Sequence, residues 1–125
     1  MNRFAFDKIQ SAFPKVWGGG HVRLQCGNGW LPIIEELSAK LDAVLATEEL
    51  AHTKVLTVQE QSGRLDFRVE ILSASKSLRK QILDLIQEAE DQSTQTCEQC
   101  GTTENVLTRK NKFGWYTTCE DCMPS

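Results

Sequence analysis

Two Cys-x-x-Cys pairs near the end of the sequence restrict the possible folds more than any other feature. The first pair is Cys97 and Cys100, the second is Cys119 and Cys122, and 18 residues separate the two pairs. This spacing is typical of four thiolates that surround one zinc ion as a tetrahedron. Gly101 follows the first pair and supplies the positive φ that a tight metal-binding turn needs. The pattern therefore predicts a zinc ribbon.

The segment between the pairs has the composition of a β-hairpin. Asn105–Thr108 and Trp115–Thr118 are predicted to be short strands, and Arg109–Lys112, with Gly114 beyond it, is predicted to be the turn. Because all four ligand positions are cysteines, the shell leaves no open position for water or substrate. We therefore expect one zinc ion with a structural role.

Two disulfides are the main alternative to a metal site, and they require an exported protein. No apolar segment of signal-peptide length follows Met1, so we expect a cytoplasmic protein with reduced thiols. No apolar run approaches the roughly 20 residues of a membrane-spanning helix either. The fifth cysteine, Cys26, has no partner in the motif and is interpreted as a small buried hydrophobic residue.

The residues before the ribbon show periodicities of both helices and strands. A hairpin formed by Lys54–Glu60 and Arg64–Leu72, whose second arm alternates strictly between apolar and polar residues, is the clearest element. The other predictions are a helix over Asn2–Phe13 that ends at Pro14, a flexible loop over Lys15–His21, a short strand over Val22–Gln25, a helix from Leu31 to about Glu48, and a long helix after a cap at Ser73–Ser75. The triple glycine at 18–20 lacks the pattern of a phosphate-binding loop and is interpreted as a hinge.

This order of elements predicts an α+β fold, with helices packed on one face of a small antiparallel sheet. Residues 1–93 are expected to form the core domain, and residues 94–125 are expected to form the zinc ribbon. Such a division leaves the first part enough chain for a modest hydrophobic core of its own.

Several motifs occur here in a specific order. The first is Gly29-Trp30 before a helix, and the second is the hairpin turn with its second arm, in segment 61–67. Residues 89–101 then contain Ala-Glu, a serine and Thr-Cys-Glu-x-Cys-Gly. Gly114-Trp115 and the last cysteine pair follow. Over residues 26–122 the chain resembles a set of small bacterial and prophage-encoded proteins that have no assigned activity. It departs from them at Ser62, where a second glycine is common, and at Cys122, where the last ligand is often histidine. The resemblance implies a metal-binding tail and supplies no reaction.

No constellation of residues in the sequence is typical of an active site. His21 and His52 stand in unrelated contexts, and the paired carboxylates fit solvated helix and turn faces. We therefore expect a protein that is not an enzyme. One alternative function is a nucleic-acid-binding or transcription-regulatory module, in which the basic and aromatic residues of the ribbon would make the contacts: Arg109, Lys110, Lys112 and Trp115.

The net charge of −3 disfavours long-range attraction to nucleic acid and suits a basic protein partner. Residues 96–125 hold three basic and four acidic side chains, so the ribbon as a whole is not basic. We expect a protein–protein interaction, with a basic toxin that this chain neutralises as an immunity protein, or with a host enzyme that it tunes as a phage accessory factor. The candidate contact residues are Glu48, Glu49, Asp66, Glu70, Glu120 and Asp121.

Overall fold

The fold, seen in a computed structural model that describes residues 3–19 and 22–123, is a mixed α+β domain followed by a two-stranded ribbon. The α+β class predicted from the sequence is confirmed. In chain order the elements are α1 (Arg3–Ala12), α2 (Pro14–Trp17), β1 (Leu24–Gln25), a 3-10 turn (Asn28–Trp30), α3 (Leu31–Leu45), β2 (His52–Gln61), β3 (Arg64–Leu72), α4 (Lys76–Ser93), β4 (Val106–Asn111) and β5 (Gly114–Cys119).

The main sheet has the order β1-β2-β3 and is mixed in direction. Strands β2 and β3 form the predicted antiparallel hairpin, whereas β1 pairs with β2 in parallel, Leu24 opposite Val58. The hairpin turns at Ser62 and Gly63, with φ values of +54° and +82°. Two positive φ values match the right-handed twist of the strands, and a glycine adopts them more readily than Ser62 does.

Residues 14–17 correct the sequence-based prediction. Pro14 begins the short helix α2, although it was expected only to end the preceding helix, and residues 15–17 do not belong to a loop. Proline is compatible with a first helical turn because its missing N–H would have no partner there. The turn carries Val16 and Trp17 into the core, where they are 0% and 1% exposed. Gly20 and His21, also assigned to the loop, lie outside the described residues.

The hydrophobic core is formed by side chains between Phe6 and Ala89, so none of its members comes from the ribbon. Trp17 lies near its centre, edge-on to Phe6 and Phe67, with ring centroids 5.4 and 5.7 Å away. Its indole N–H donates to the Ser38 hydroxyl at 3.1 Å, which satisfies the buried polar group. The apolar face predicted for β3 is confirmed, because Leu65 and Phe67 are buried and the two apolar residues that follow pack against this core.

Helix α4 begins at the predicted cap, where the Ser75 hydroxyl accepts the Leu78 N–H at 3.1 Å. Its far end protects the outer edge of β3. The Ser93 hydroxyl accepts the Leu65 N–H at 2.9 Å, and the Glu90 carboxylate accepts the Phe67 N–H at 3.0 Å. Burial raises the pKa of Glu90 more than the Phe67 N–H and the nearby arginine lower it. Polar side chains from the helix thus occupy donors that an exposed edge strand would offer to another chain.

Candidate metal centre

The four cysteines of the two pairs converge at one point. Their sulfur atoms all lie within 4.8 Å of one another, and Cys100 Sγ is 3.7 Å from Cys119 Sγ. Tetrahedral zinc with Zn–S bonds of about 2.3 Å requires S···S separations of about 3.8 Å. All five cysteines of the chain are free thiols, so no disulfide competes for these sulfurs. The cluster therefore fits a single tetrahedral metal ion.

Each cysteine pair lies on a short turn that is closed by backbone hydrogen bonds. In the first turn the Gly101 N–H donates to the Cys97 carbonyl at 2.9 Å, and the Cys100 N–H donates to Cys97 Sγ at 3.5 Å. Gly101 has a φ of +83°, as expected for the residue that ends this turn. In the second turn the Cys122 N–H donates to the Cys119 carbonyl at 3.3 Å. Local backbone geometry thus aims both pairs of sulfurs at the same point.

The thiols of the cluster differ in their affinity for protons. Burial raises the pKa of Cys97, but backbone N–H groups, that of Cys100 first, outweigh it and bring the pKa to about 6. The neighbouring Cys119 sulfur raises the pKa of Cys122 to about 12, mainly through a side-chain hydrogen bond. The close approach of the sulfurs disfavours several negative charges at this point. A bound divalent ion supplies positive charge and deprotonates its ligands.

The hairpin between the cysteine pairs is longer than predicted. Strand β4 continues through Asn111, and the turn consists of Lys112 and Phe113, so Arg109–Asn111 are strand residues and not turn residues. Asn111 faces Gly114 across the last pair of the ladder. The Asn111 side chain accepts the Phe113 N–H at 2.8 Å, which closes the turn locally. This extends the hairpin away from the metal cluster.

The first metal-binding turn contacts the segment that precedes α3. The Gly29 N–H donates to the Glu98 carbonyl at 2.6 Å, and the Gly27 N–H donates to the Glu98 carboxylate at 2.8 Å. The Trp30 indole N–H donates to the Thr96 carbonyl at 2.9 Å. A Cβ atom added to Gly29 would lie 2.1 Å from the Cys97 carbonyl oxygen. This contact therefore requires glycine at positions 27 and 29, whatever the turn itself requires.

A second contact joins the ribbon to the β2–β3 turn. The Thr117 hydroxyl donates to the Gly63 carbonyl, and it also lies 2.8 Å from the Thr108 hydroxyl across the ribbon. A Cβ at Gly63 would lie 2.6 Å from the Thr108 methyl group. Sequence reasoning interpreted Gly63 and Gly29-Trp30 as local turn residues and missed both contacts. Their co-occurrence with the cysteine motif was the available signal, because glycines allow the close approach of two backbones.

The acidic residues predicted to contact a partner lie in three separate places. Glu48, near the end of α3, accepts the Ser75 N–H and hydroxyl at 2.8 and 2.5 Å, and these bonds, the hydroxyl first, lower its pKa. Glu49 beside it is exposed. On β3, Asp66 accepts from Gln59 at 2.8 Å and pairs with Arg68, whereas Glu70 is exposed.

Glu120 and Asp121 form the third group, in the second metal-binding turn. Both are exposed, and with Glu104 they line an open depression of about 490 Å³ whose floor includes Cys100, Cys119 and Cys122. Glu104 was not among the predicted residues. The hairpin predicted between the cysteine pairs already places Glu104 beside the second pair, although 15 residues separate it from Glu120. The metal end of the ribbon is thus acidic on its surface.

The basic and aromatic candidates lie at the other end of the hairpin. Lys110 Nζ is 5.7 Å from the centre of the Trp115 ring, and these two residues face each other across the strands. Lys112 Nζ is 5.0 Å from the Phe113 ring centre. Arg109 pairs in register with Tyr116. Lys110 and Trp115 therefore share one face of the ribbon, whereas Arg109 lies on the opposite face, because successive side chains of a strand alternate.

Cys26 is not a member of the metal cluster and is 9% exposed. Burial raises its pKa to about 12, with a smaller contribution from the negative charges of Glu98 and Glu60. A thiol with such a pKa is protonated at neutral pH and reacts slowly. The interpretation of Cys26 as a small buried hydrophobic residue is confirmed.

Comparison with protein-family models, with curated proteins and with solved structures gives no match for this chain. Among the described residues, no helix combines the length and the apolar character that crossing a membrane requires. The function must therefore be argued from the site itself.

Proposed function

We propose that Cys97, Cys100, Cys119 and Cys122 hold one structural zinc ion. The support is the convergence of four sulfurs at tetrahedral spacing, since four-thiolate shells of this kind select zinc in small ribbons. A closed shell leaves no coordination position for water or substrate, so the ion would organise the fold and not perform chemistry.

Metal analysis of protein purified without chelator is expected to give one equivalent of zinc per chain. A matched pair of variants assigns the ligands: Cys122→Ser should lower the zinc content strongly, and Cys26→Ser should leave it at one equivalent because Cys26 is outside the cluster. Recovery of a folded, metal-free protein with two disulfides would contradict the proposal.

We further propose that the protein acts without catalysis, by binding another protein through the acidic metal end of its ribbon. The observation that carries this proposal is the depression lined by Glu104, Glu120 and Asp121 beside the cysteines. Four thiolates around a divalent ion add a net charge of about −2 at the same place. A surface of this charge favours a basic partner and accelerates association with it.

A basic toxin that the chain neutralises, or a host enzyme that it modulates, has the required charge. The resemblance to small prophage-encoded proteins supports this class of partner by association only. The charge of the depression supports it physically. Glu49 and Glu70 are the exposed candidates elsewhere on the surface, whereas Glu48 and Asp66 are already engaged in hydrogen bonds.

Charge reversal is expected to separate this surface from the others. The wild-type protein should retain a stoichiometric partner from extracts of the source cell, and the variant Glu104→Lys/Glu120→Lys/Asp121→Lys should lose it. The control Glu35→Lys/Asp84→Lys changes exposed acids on α3 and α4 and should retain the partner. If the variant with the three charge reversals still retains the partner, another surface of the protein makes the contact. Absence of any stoichiometric partner would contradict the proposed function.

A further inference from the structure

The basic and acidic side chains of the ribbon lie at opposite ends of the hairpin. The composition of residues 96–125 does not show this, because it holds similar numbers of both. Its three basic residues all lie in Arg109–Trp115, here called the ribbon tip, and this segment contains no acidic residue. The exposed acids of the ribbon, Glu104, Glu120 and Asp121, lie at the metal end. Glu98, the remaining acid, is 9% exposed and bonded to Gly27.

The cations of the ribbon tip are not neutralised by other side chains. None of the ion pairs found among residues 3–19 and 22–123 involves Arg109, Lys110 or Lys112. Arg109 Nη1 is shielded from solvent and has no hydrogen-bond partner. The two lysines contact only the faces of exposed rings, an arrangement that a stronger anionic partner readily displaces.

The ribbon tip also presents two large aromatic rings to solvent. Phe113 is 72% exposed and Trp115 is 42% exposed, whereas Trp17 and Trp30 are buried. Trp115 emerges next to the β2–β3 turn, since its Cβ lies 3.7 Å from the position that a Cβ on Gly63 would take. Both rings are therefore presented to solvent by the hairpin, where a flat ligand can stack on them.

Distance separates the ribbon tip from the acidic metal end. Lys110 and Trp115 lie four register pairs beyond Val106 and Cys119, which is about 13 Å along the strands. At physiological ionic strength the screening length is about 8 Å. The acids of the metal end therefore have little effect on an anion bound at the tip, and the net negative charge of the chain does not prevent such binding.

We propose that the ribbon tip binds single-stranded nucleic acid. Phosphates would pair with Lys110 and Lys112, while unstacked bases would lie on Trp115 and Phe113, which is how proteins hold single strands without sequence preference. The bases of a duplex are stacked on one another, so their faces are not available to the rings. An acidic protein surface pairs with the cations but provides no bases to stack on the rings. This binding is independent of the proposed protein contact, which uses the opposite end of the ribbon.

The test is fluorescence anisotropy with the zinc-loaded full chain and a short labelled oligothymidine at near-physiological salt. We expect a Kd of about 10 to 100 µM and a slope of log K against log salt of about −1.4 for two contacts. The variant Lys112→Ala/Phe113→Ala should weaken binding about 10-fold or more. Its control is Phe4→Ala/Lys8→Ala, because Phe4 is also 72% exposed and Lys8 Nζ lies 5.4 Å from its ring centre. The control should bind as wild type.

Two further probes test stacking apart from charge. An abasic oligonucleotide of the same length, which keeps the phosphates, should bind about 10-fold more weakly. Oligothymidine should also quench Trp115, which is the exposed one of the three indoles. Equal affinity for the abasic strand or for polyglutamate would overturn the proposal in favour of an acidic protein surface. An equal loss of affinity in Lys112→Ala/Phe113→Ala and in its control would overturn the proposal. Binding that does not depend on salt would also overturn it. Zinc content and circular dichroism confirm that each variant is folded.

Discussion

Replacing Cys97 with serine is expected to unfold the ribbon while the four helices remain. Binding of a structural zinc ion contributes about 10 to 16 kcal/mol in small ribbons, as much as the whole stability of a typical domain. Without its metal the ribbon keeps only its own hairpin bonds and a few contacts with the core, which we expect to be too few to hold it folded. All four helices and the entire hydrophobic core lie before residue 94, so most of the helical circular dichroism signal should persist.

The remaining domain should nevertheless become less stable. It loses the bonds that the ribbon makes with Gly27, Gly29 and Trp30, each contributing about 1 kcal/mol. A loss of about 3 kcal/mol lowers the melting temperature of a domain of this size by about 12 °C. The Trp30 indole loses its acceptor, so its emission should change. The control Cys26→Ser should keep the metal and the ribbon. Collapse of the whole dichroism signal would show that residues 1–93 do not fold independently.

Replacing Gly29 with alanine is expected to destabilise the protein more than the same replacement of any other glycine in the loop before α3. The new Cβ would lie 2.1 Å from the Cys97 carbonyl and 2.6 Å from Glu98 atoms, all of them backbone and unable to move aside separately. Overpacking of this kind costs about 1 to 3 kcal/mol, and loss of the Gly29–Glu98 hydrogen bond adds about 1 kcal/mol. We expect a total near 3 kcal/mol, measured by denaturant unfolding.

Gly19→Ala is the matched control for this measurement. Unlike Gly29, Gly19 has a left-handed backbone, with a φ of +71°, but nothing lies within 4 Å of its added Cβ. It should therefore cost only about 1 kcal/mol, the strain of a left-handed alanine. Since the clash at Gly29 moves the first metal-binding turn, Gly29→Ala should also lower zinc affinity, and Gly19→Ala should not. Equal costs at the two sites would mean that the contact between loop and ribbon is loose.

Local patterns in the sequence were sufficient to predict the local elements. The period-2 alternation from Leu65 to Ile71 identified β3, Ser75 marked the start of α4, and the cysteine spacing identified the ribbon. These signals are read within one element, because each depends on neighbours at a fixed spacing. Trp17 was missed because the glycines that follow it suggested a loop, whereas burial of the indole stabilises one helical turn.

Contacts between distant segments could not be predicted in this way. Nothing near Gly29 indicates that a carbonyl 68 residues later occupies the space of its missing Cβ. Glu104 is a different case, because the predicted hairpin already implied its place beside Glu120 and Asp121, but only carboxylates adjacent in sequence were considered as pairs. The charge separation along the ribbon also depends on strand register, which the composition of the segment averages away. Tertiary packing determines these features, and one sequence contains no record of it.

The bond between Trp30 and Thr96 has a consequence for the order of folding during synthesis. The ribosome completes residues 27–30 well before Thr96 and the four cysteines, since domains emerge at about 5 to 20 residues per second from the amino terminus. Until the ribbon follows and takes up its metal, the Trp30 indole N–H and two glycine N–H groups lack their final acceptors. With the proposed zinc site, the supply of metal in the cell would therefore time the last step in the maturation of a core that itself holds none of the metal ligands.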